Sequence, residues 1–460
     1  MLFGRRGSER NLVIYGGTQG SMDVSTAVRP DAGVPPFGPL AGVRVLDSAR
    51  FVAGPWAATY LGEFGAEVIH VEGPPFEPPY SDPTRTLRPL LPGGNPGDRV
   101  SESWIQYARN KLSIGLDMRS PEGRKIFLDL ARRADIWIES SRPGTFEKLD
   151  LADDTVWEAN PRLTIVHVSG YGRSGDPERI RTPSYDLTAQ AYSGFLSLQG
   201  NPDPEPPMRS ATALNDTVTG LASAAAGLMG YIHAQRTGRG QAVDVAQFEV
   251  FFMLLENLAI DYFMRGVVRA RHGSAHARLH PYDVHRARDG WVVVAAPTEE
   301  AWRRLRTLIG FTDPAFDDRD FRLAHRGPVD DAIAAFCANR SRDELERLGH
   351  EQDVAITRVF DISDIARDPH YRQRGMLLEW DDPVAGRVKG AGVAPKFTET
   401  PGGVWRGAPW LGQDNERILL GLLGYSRDRV EELRRSGVIG EERPLGPASV
   451  APPYFLREGP

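Results

Sequence analysis

The run Gly42-Val43-Arg44-Val45-Leu46-Asp47, the segment Pro55-Trp56-Ala57-Ala58-Thr59-Tyr60-Leu61-Gly62-Glu63-Phe64-Gly65 and the run Val68-Ile69-His70-Val71 follow one another closely, and their reading decides the fold. Residues 43–46 are a short apolar strand. Residues 55–64 begin on proline, which suits a first helical turn, and stop at Gly65; residues 68–71 are again strand-like. Strand, helix and strand in such quick succession make a βαβ unit, with parallel strands and a right-handed crossover.

The theme repeats downstream. Residues 112–116 are strand-like, and Ser120-Pro121-Glu122 has the order of a helix start: a capping hydroxyl, proline in the first turn, then an acid near the positive end of the dipole. Ile126, Phe127, Leu130 and Ala131 share one face of that helix. Apolar strands at 136–138 and 163–168, with a helix over 149–159 between them, continue an alternation that predicts a mostly parallel α/β sheet. Residues 1–40 lack periodicity, and 73–97 form a proline-rich excursion. A helix of small residues is predicted over 216–236, ending at Thr237-Gly238-Arg239-Gly240, and a longer helix over 243–265. Strands at 282–285 and 291–295 flank the turn Arg288-Asp289-Gly290. Helices at 299–309, 329–338 and 342–350 follow, so 270–394 reads as a smaller α+β domain. The remainder is helical near 416–423 and 427–436.

The chain has 460 residues, a size that suggests about three domains at roughly 150 residues each. Its 48 glycines and 36 prolines fall below a low-complexity composition and point to a folded protein with many shaped loops. One cysteine excludes a disulfide-stapled secreted domain and makes a reducing cytoplasm the simplest compartment. A net charge of −6 offers nothing global to nucleic acid, and the most apolar stretches are too short for a membrane span.

Several motifs invite chemistry. Gly170-Tyr171-Gly172-Arg173-Ser174-Gly175 matches a dinucleotide fingerprint, but Asp176-Pro177 and Pro183 follow where a helix should open, so it reads as a flexible glycine loop. His272, His276 and His280 have metal-like spacing, but Gly273 and Pro281 interrupt the helix they would need, and no metal site is expected. Cys337 reads as a buried helix residue. Asp216, in Ala213-Leu214-Asn215-Asp216-Thr217, stands at the start of the small-residue helix, where it is either a cap or a carboxylate kept ionised by N–H donors and available as a nucleophile. Arg109, Lys111, Arg119, Arg142 and Lys148, with the amides of Val52-Ala53-Gly54, could hold a phosphorylated ligand at the carboxyl edge of the sheet.

Taken in order, several segments resemble the family III CoA-transferases, the CaiB/BaiF family. They are Gly38-Pro39-Leu40-Ala41-Gly42-Val43-Arg44-Val45-Leu46-Asp47, Ala53-Gly54-Pro55, Gly65-Ala66-Glu67-Val68-Ile69, Asn110-Lys111-Leu112-Ser113-Ile114, Arg142-Pro143-Gly144, Ser184-Tyr185-Asp186-Leu187-Thr188-Ala189-Gln190 and Thr237-Gly238-Arg239-Gly240-Gln241. Ile136-Trp137-Ile138-Glu139-Ser140, Asp261-Tyr262-Phe263 and Pro401-Gly402-Gly403-Val404-Trp405-Arg406-Gly407 look most like the carnitine CoA-transferase branch. The resemblance implies a large Rossmann-like α/β domain built from N- and C-terminal segments, a small α+β domain inserted in it, and two chains interlocked as a homodimer. The divisions expected are an irregular arm at 1–37, the large CoA-binding domain at 38–269, the small domain at 270–394, and the returning large-domain segment with a tail at 395–460.

The resemblance also implies an activity: moving CoA from an acyl-CoA thioester to a free carboxylic acid, a carnitine-like or other small organic acid. Asp216 matches the nucleophilic aspartate. Phe51, Val52, Ala53, Leu116, Arg119, Ser140, Ser141, Lys148 and Tyr185 match CoA-binding positions. Gly73, Ser140 and Pro183 depart from residues common at those places in relatives. No prosthetic group is implied, since coenzyme A enters as substrate. Tyr192, Phe195 and Trp405 are aromatic candidates to receive a trimethylammonium group. Two alternatives use the same scaffold: a 2-methylacyl-CoA racemase, for which Tyr185 stands where a histidine is needed, and an inactive CoA-binding protein.

Overall fold

The computed structural model describes residues 32–73, 81–93 and 98–442; most of the expected arm, two pieces of the proline-rich excursion and the end of the tail lie outside them. Strand β1 (Arg44–Asp47), helix α1 (Ala53–Glu63) and strand β2 (Glu67–Glu72) form the expected parallel βαβ unit. The chain continues through β3 (Lys111–Leu116), α2 (Pro121–Ala131), β4 (Ile136–Glu139), β5 (Thr164–Ser169), α3 (Asp186–Tyr192), α4 (Leu214–Thr237), β6 (Ala242–Ala246), α5 (Gln247–Met253), α6 (Leu258–Arg265), α7 (Arg427–Arg435) and β7 (Ile439–Gly440). The seven strands make one sheet in the order β7-β3-β2-β1-β4-β5-β6, parallel throughout except for β7.

That order fixes where a ligand can sit. The chain winds outward from β1 to β3, then returns to the other side of β1 with β4. The loops leaving β1 and β4 therefore part in opposite directions, and a crevice opens between them at the carboxyl edge of the sheet.

Both faces of the sheet are covered, because alternate residues of each strand point to opposite sides. Leu46, Ile69, Leu112, Phe127, Trp137 and Ile165 form the core on one side. Val45, Val68, Ile138, Val166, Ala57, Ala58 and Ala224 form it on the other, where α1 and α4 lie together. The small residues of α4 allow that approach: a Cβ at Gly220 would lie 2.7 Å from the Ala53 carbonyl oxygen, and one at Gly230 would lie 2.3 Å from the Thr164 side chain.

The predicted helix over 243–265 is corrected. Residues Ala242–Ala246 are the edge strand β6, paired in parallel with β5, and two short helices follow. Val243 and Val245 flank Asp244, an alternation of period two that suits a half-buried strand; the chain turns helical only from Gln247.

Elsewhere, strands Tyr282–Ala287 and Gly290–Ala295 pair across the expected turn, and Ala355–Arg358 joins them. With helices Glu299–Ile309, Gly327–Ala338 and Arg342–Gln352 they enclose a core of their own, which includes Trp302, Ile333 and the buried Cys337. The hairpin of Leu377–Asp382 and Gly386–Ala391 contributes Trp380 to a cluster with Val100, Trp104 and Ala408.

Candidate functional site

A cavity of about 430 Å³ opens in the crevice between the loops that follow β1 and β4. The β1 loop supplies Arg50, Phe51, Val52 and Ala53, and the β4 loop supplies Ser140, Ser141, Arg142 and Pro143. The two loops are stitched together, since Arg50 N–H donates to Ser140 Oγ at 2.9 Å and Ser140 Oγ donates back to the Arg50 carbonyl at 3.3 Å. Phe51 has φ = +65°, a conformation that costs a side chain-bearing residue about 1 kcal/mol or more, and it holds the ring partly exposed, edge-on to Tyr185 at 6.1 Å. Val52 precedes α1, so the free N–H groups of the first turn of that helix face the same crevice edge.

Asp216 lines this cavity from the first turn of α4. The helix is entered at Ala213, so Asp216 is two residues inside it and caps nothing. Its backbone N–H donates to Asp186 Oδ1 at 3.2 Å, and Asp186 Oδ2 in turn accepts from Gln190 Nε2 at 2.6 Å. Its carboxylate receives a hydrogen bond on Oδ1 from the Gln247 side-chain amide. Burial, reinforced by the negative charge of Asp186, pushes the Asp216 carboxyl up to about 7, against the pull of the Gln247 amide. The expectation of a carboxylate kept ionised by helix N–H donors is thus corrected: among the described residues the side chain's donor is Gln247, and desolvation dominates.

Beneath the β4 loop lies a charged network. Glu139 accepts from Ser141 N–H at 2.6 Å, contacts His167 Nδ1 at 2.6 Å and lies 3.5 Å from Arg173; His167 Nε2 reaches Asp153 at 3.1 Å. Burial alone would push the His167 imidazolium down, but Asp153 and Glu139 outweigh it and carry it up to about 9. Arg173 also pairs with Glu147 at 2.6 Å, and its N–H donates to Asp244 at 2.7 Å. The glycine loop 170–175 is therefore tied to the cavity wall, to which Gly170 and Tyr171 contribute.

Of the residues singled out from the sequence, Asp216, Phe51, Val52, Ala53, Ser140, Ser141, Arg142 and Tyr185 line the same cavity. Leu116, Arg119 and Lys148 do not. Leu116 is buried in the core at the end of β3, two strands further along the same edge; Arg119 lies just beyond it, paired with Asp117 at 2.8 Å; Lys148 is exposed on the turn Glu147–Leu149. Arg109 and Lys111 are fully buried and spend their charges inside the protein, Arg109 on Glu63 and Lys111 on Asp47 at 2.8 Å, so neither is offered to a phosphate. Tyr192, Phe195 and Trp405 also stand outside the lining. Tyr192 is packed against Tyr171 and Phe248, with the Arg179 guanidinium already over its ring, and Phe195 packs on Phe251. Gln247 escaped the sequence reading because it was placed inside a long helix. The Val-Asp-Val alternation before it was the signal that it ends a strand at the carboxyl edge.

Comparison with known proteins places these features. The model for CoA-transferase family III matches residues 40–415. The chain is 36% identical over 415 residues to the bile acid CoA-transferase BaiK of Clostridium scindens, covering 88% of this chain and 90% of that one. It is 34% identical to the succinyl-CoA–L-malate CoA-transferase beta subunit of Chloroflexus aurantiacus (87% and 98% covered) and 31% identical to the L-carnitine CoA-transferase of Proteus mirabilis (88% and 97% covered). Among solved structures, a CaiB/BaiF family protein from Brucella suis superposes with a TM-score of 0.73 at 29% identity, covering 84% of this chain and all of that one.

Proposed function

The chain belongs to CoA-transferase family III and is a CoA-transferase, and from that premise we propose that Asp216 carries CoA between an acyl-CoA thioester and a free carboxylic acid by covalent catalysis. One Asp216 oxygen attacks the thioester carbonyl; the C–S bond breaks, giving a mixed acyl-aspartyl anhydride and CoA thiolate. The thiolate adds to Cγ of Asp216 and expels the first carboxylate, leaving an aspartyl-CoA thioester. The acceptor carboxylate attacks that thioester to regenerate an anhydride and thiolate, and thiolate attack on the acceptor's acyl carbonyl releases the new acyl-CoA with Asp216 free. The thioester bond energy is kept only if water stays out of these intermediates. The observation that carries the reading is the position of Asp216: a partly buried carboxylate at the head of α4, in the wall of a cavity at the switch point of a parallel sheet.

For CoA, the reading assigns Phe51, Val52, Ala53, Ser140, Ser141 and Tyr185 to the part nearest the thioester. Leu116, Arg119 and Lys148 would take the more distant part of the molecule. The carboxyl edge runs from the cavity towards β3, which supports that extended path. No prosthetic group enters the scheme. The acceptor is a small organic acid, carnitine-like or dicarboxylic, as in two of the relatives named above; Phe51, Tyr171 and Tyr185 are the aromatic rings in the cavity wall. The segment 270–394 is proposed as a small domain inserted in the large one, and a cytoplasmic location fits a chain with one buried cysteine. Among the described residues no helix is long and apolar enough to cross a membrane.

An interlocked homodimer is part of the proposal. It is supported by Leu221, Met229 and Ile232 of α4 and Ile260, Phe263 and Met264 of α6, which present large apolar side chains to solvent in the single chain. The activity is tested by a matrix of acyl-CoA donors against acid acceptors, run with the native chain and with Asp216→Ala. Transfer by the native chain and none by the variant is expected, and full transfer by a folded Asp216→Ala chain overturns the mechanism. Deuterium exchange at the α-carbon of a 2-methylacyl-CoA would point instead to the racemase.

A further inference from the structure

The cavity holds a second group in contact with the reacting carboxylate. Gln247 is buried, is the first residue of α5 at the carboxyl end of β6, and lines the cavity beside Asp216. Its Nε2 donates to Asp216 Oδ1. Oδ2 has no hydrogen-bond partner among the described residues, so the two oxygens of one carboxylate stand in different surroundings. The contact is held from both sides. Asn215, buried next to Asp216, donates through Nδ2 to the Gln247 carbonyl at 3.4 Å and accepts on Oδ1 from Thr219 Oγ1 at 3.2 Å, while Asp186 receives the Asp216 N–H. These bonds fix the backbone positions from which the two side chains meet.

Resting on the aspartyl reading above, we infer that Gln247 is a catalytic residue: its side-chain amide keeps Oδ1 as the carbonyl oxygen of every aspartyl intermediate, leaves Oδ2 as the attacking oxygen, and donates to the oxyanion that forms on Oδ1. When Oδ2 attacks the donor's thioester carbon, the Oδ2–acyl bond forms, the C–S bond breaks and CoA leaves as thiolate. Oδ1 is then a neutral carbonyl oxygen under the Gln247 N–H. When the thiolate adds to Cγ, the Cγ–S bond forms and the π electrons move onto Oδ1, which carries a full negative charge until the Cγ–Oδ2 bond breaks and the donor carboxylate departs with Oδ2. The acceptor's attack on the aspartyl thioester passes through the same oxyanion. A donor fixed beforehand on that oxygen binds these transition states more tightly than the neutral intermediates, which is the condition for acceleration. The carboxylate departs with Oδ2 and the acceptor then supplies a replacement oxygen in the same place, so one Asp216 oxygen is exchanged in each cycle while Oδ1 stays.

The test is single-turnover formation of the enzyme-bound CoA adduct, followed by intact-protein mass spectrometry with the best donor from a panel of acetyl-, succinyl-, carnitinyl- and cholyl-CoA. Gln247→Met keeps length and volume but removes both N–H donors. It is expected to slow adduct formation by about 10²–10³-fold, the loss typical of one oxyanion donor, with little change in acyl-CoA affinity. Gln247→Glu, which offers no N–H to the carboxylate and adds a charge, is expected to slow it at least as much and to move the acid limb of the rate to higher pH; it carries the test if the Met variant does not fold. Adduct formation at the native rate in either folded variant overturns the role of Gln247 while leaving Asp216 in place. A native chain that transfers CoA without an adduct on Asp216 overturns the aspartyl reading, and this one with it.

Discussion

At the scale of single residues, the proposed chemistry turns on the carboxyl group of Asp216. Burial and Asp186 push Asp216 up to about 7, and only its ionised form is a nucleophile. The rate of the first acyl transfer is therefore expected to rise with pH, pass half its maximum near 7 and level off above. Asp186→Asn removes the like charge but keeps an oxygen for the Asp216 N–H, so the half-maximum is expected to move to lower pH; a pH–rate profile of native and variant chains checks both. An unchanged limb in Asp186→Asn would assign the shift to desolvation alone. Local signals marked Asp216 as a carboxylate at a helix start and Val52-Ala53-Gly54 as a βα turn, while Phe51 and the roles proposed for these residues came from the family resemblance. Asp186 was visible only as part of a motif. Gln247 was hidden, because contact between its amide and Asp216 requires β5 and β6 to be paired, a long-range fact that local periodicity does not carry.

Among the elements, the parallel strands and their helices were legible wherever the apolar period was clean, as in β1, α1, β2 and α2. The stretch from 243 to 265 was not, since five residues of strand run straight into a helix without glycine or proline between them. The glycine loop is exposed to pH because it is anchored through Arg173 and Glu139 to His167. With its folded pKa carried from 6.5 up to about 9 by Asp153 and Glu139, protonated His167 stabilises the folded chain fully below pH 6.5, and that contribution is lost as pH rises through about 9. The thermal midpoint of the native chain is expected to fall between pH 7 and 9.5 more steeply than that of His167→Gln, which differential scanning calorimetry of both chains measures. Parallel slopes would show that the imidazolium contributes nothing to the loop's anchoring.

Across the whole molecule, the strand order places the crevice, and the crevice gathers residues as distant in sequence as Phe51 and Gln247. The same molecule leaves large apolar side chains exposed on α4 and on α6, with Phe263 80% exposed. On the proposed homodimer, light scattering is expected to report twice the chain mass for the native protein and half of that for Phe263→Asp combined with Met264→Asp with the secondary structure retained; a native mass of one chain would contradict the dimer, and a dimeric double variant would place the contact elsewhere. Above all of this stands the covalent role proposed for one aspartate, and it is tested most directly by trapping. The native chain, turning over an acyl-CoA and its acceptor, is treated with hydroxylamine and digested, and the peptide containing Asp216 is sequenced by mass spectrometry. An aspartyl hydroxamate at Asp216, dependent on acyl-CoA, is the expected result; active enzyme with Asp216 unmodified, or with the hydroxamate on another carboxylate, would contradict it.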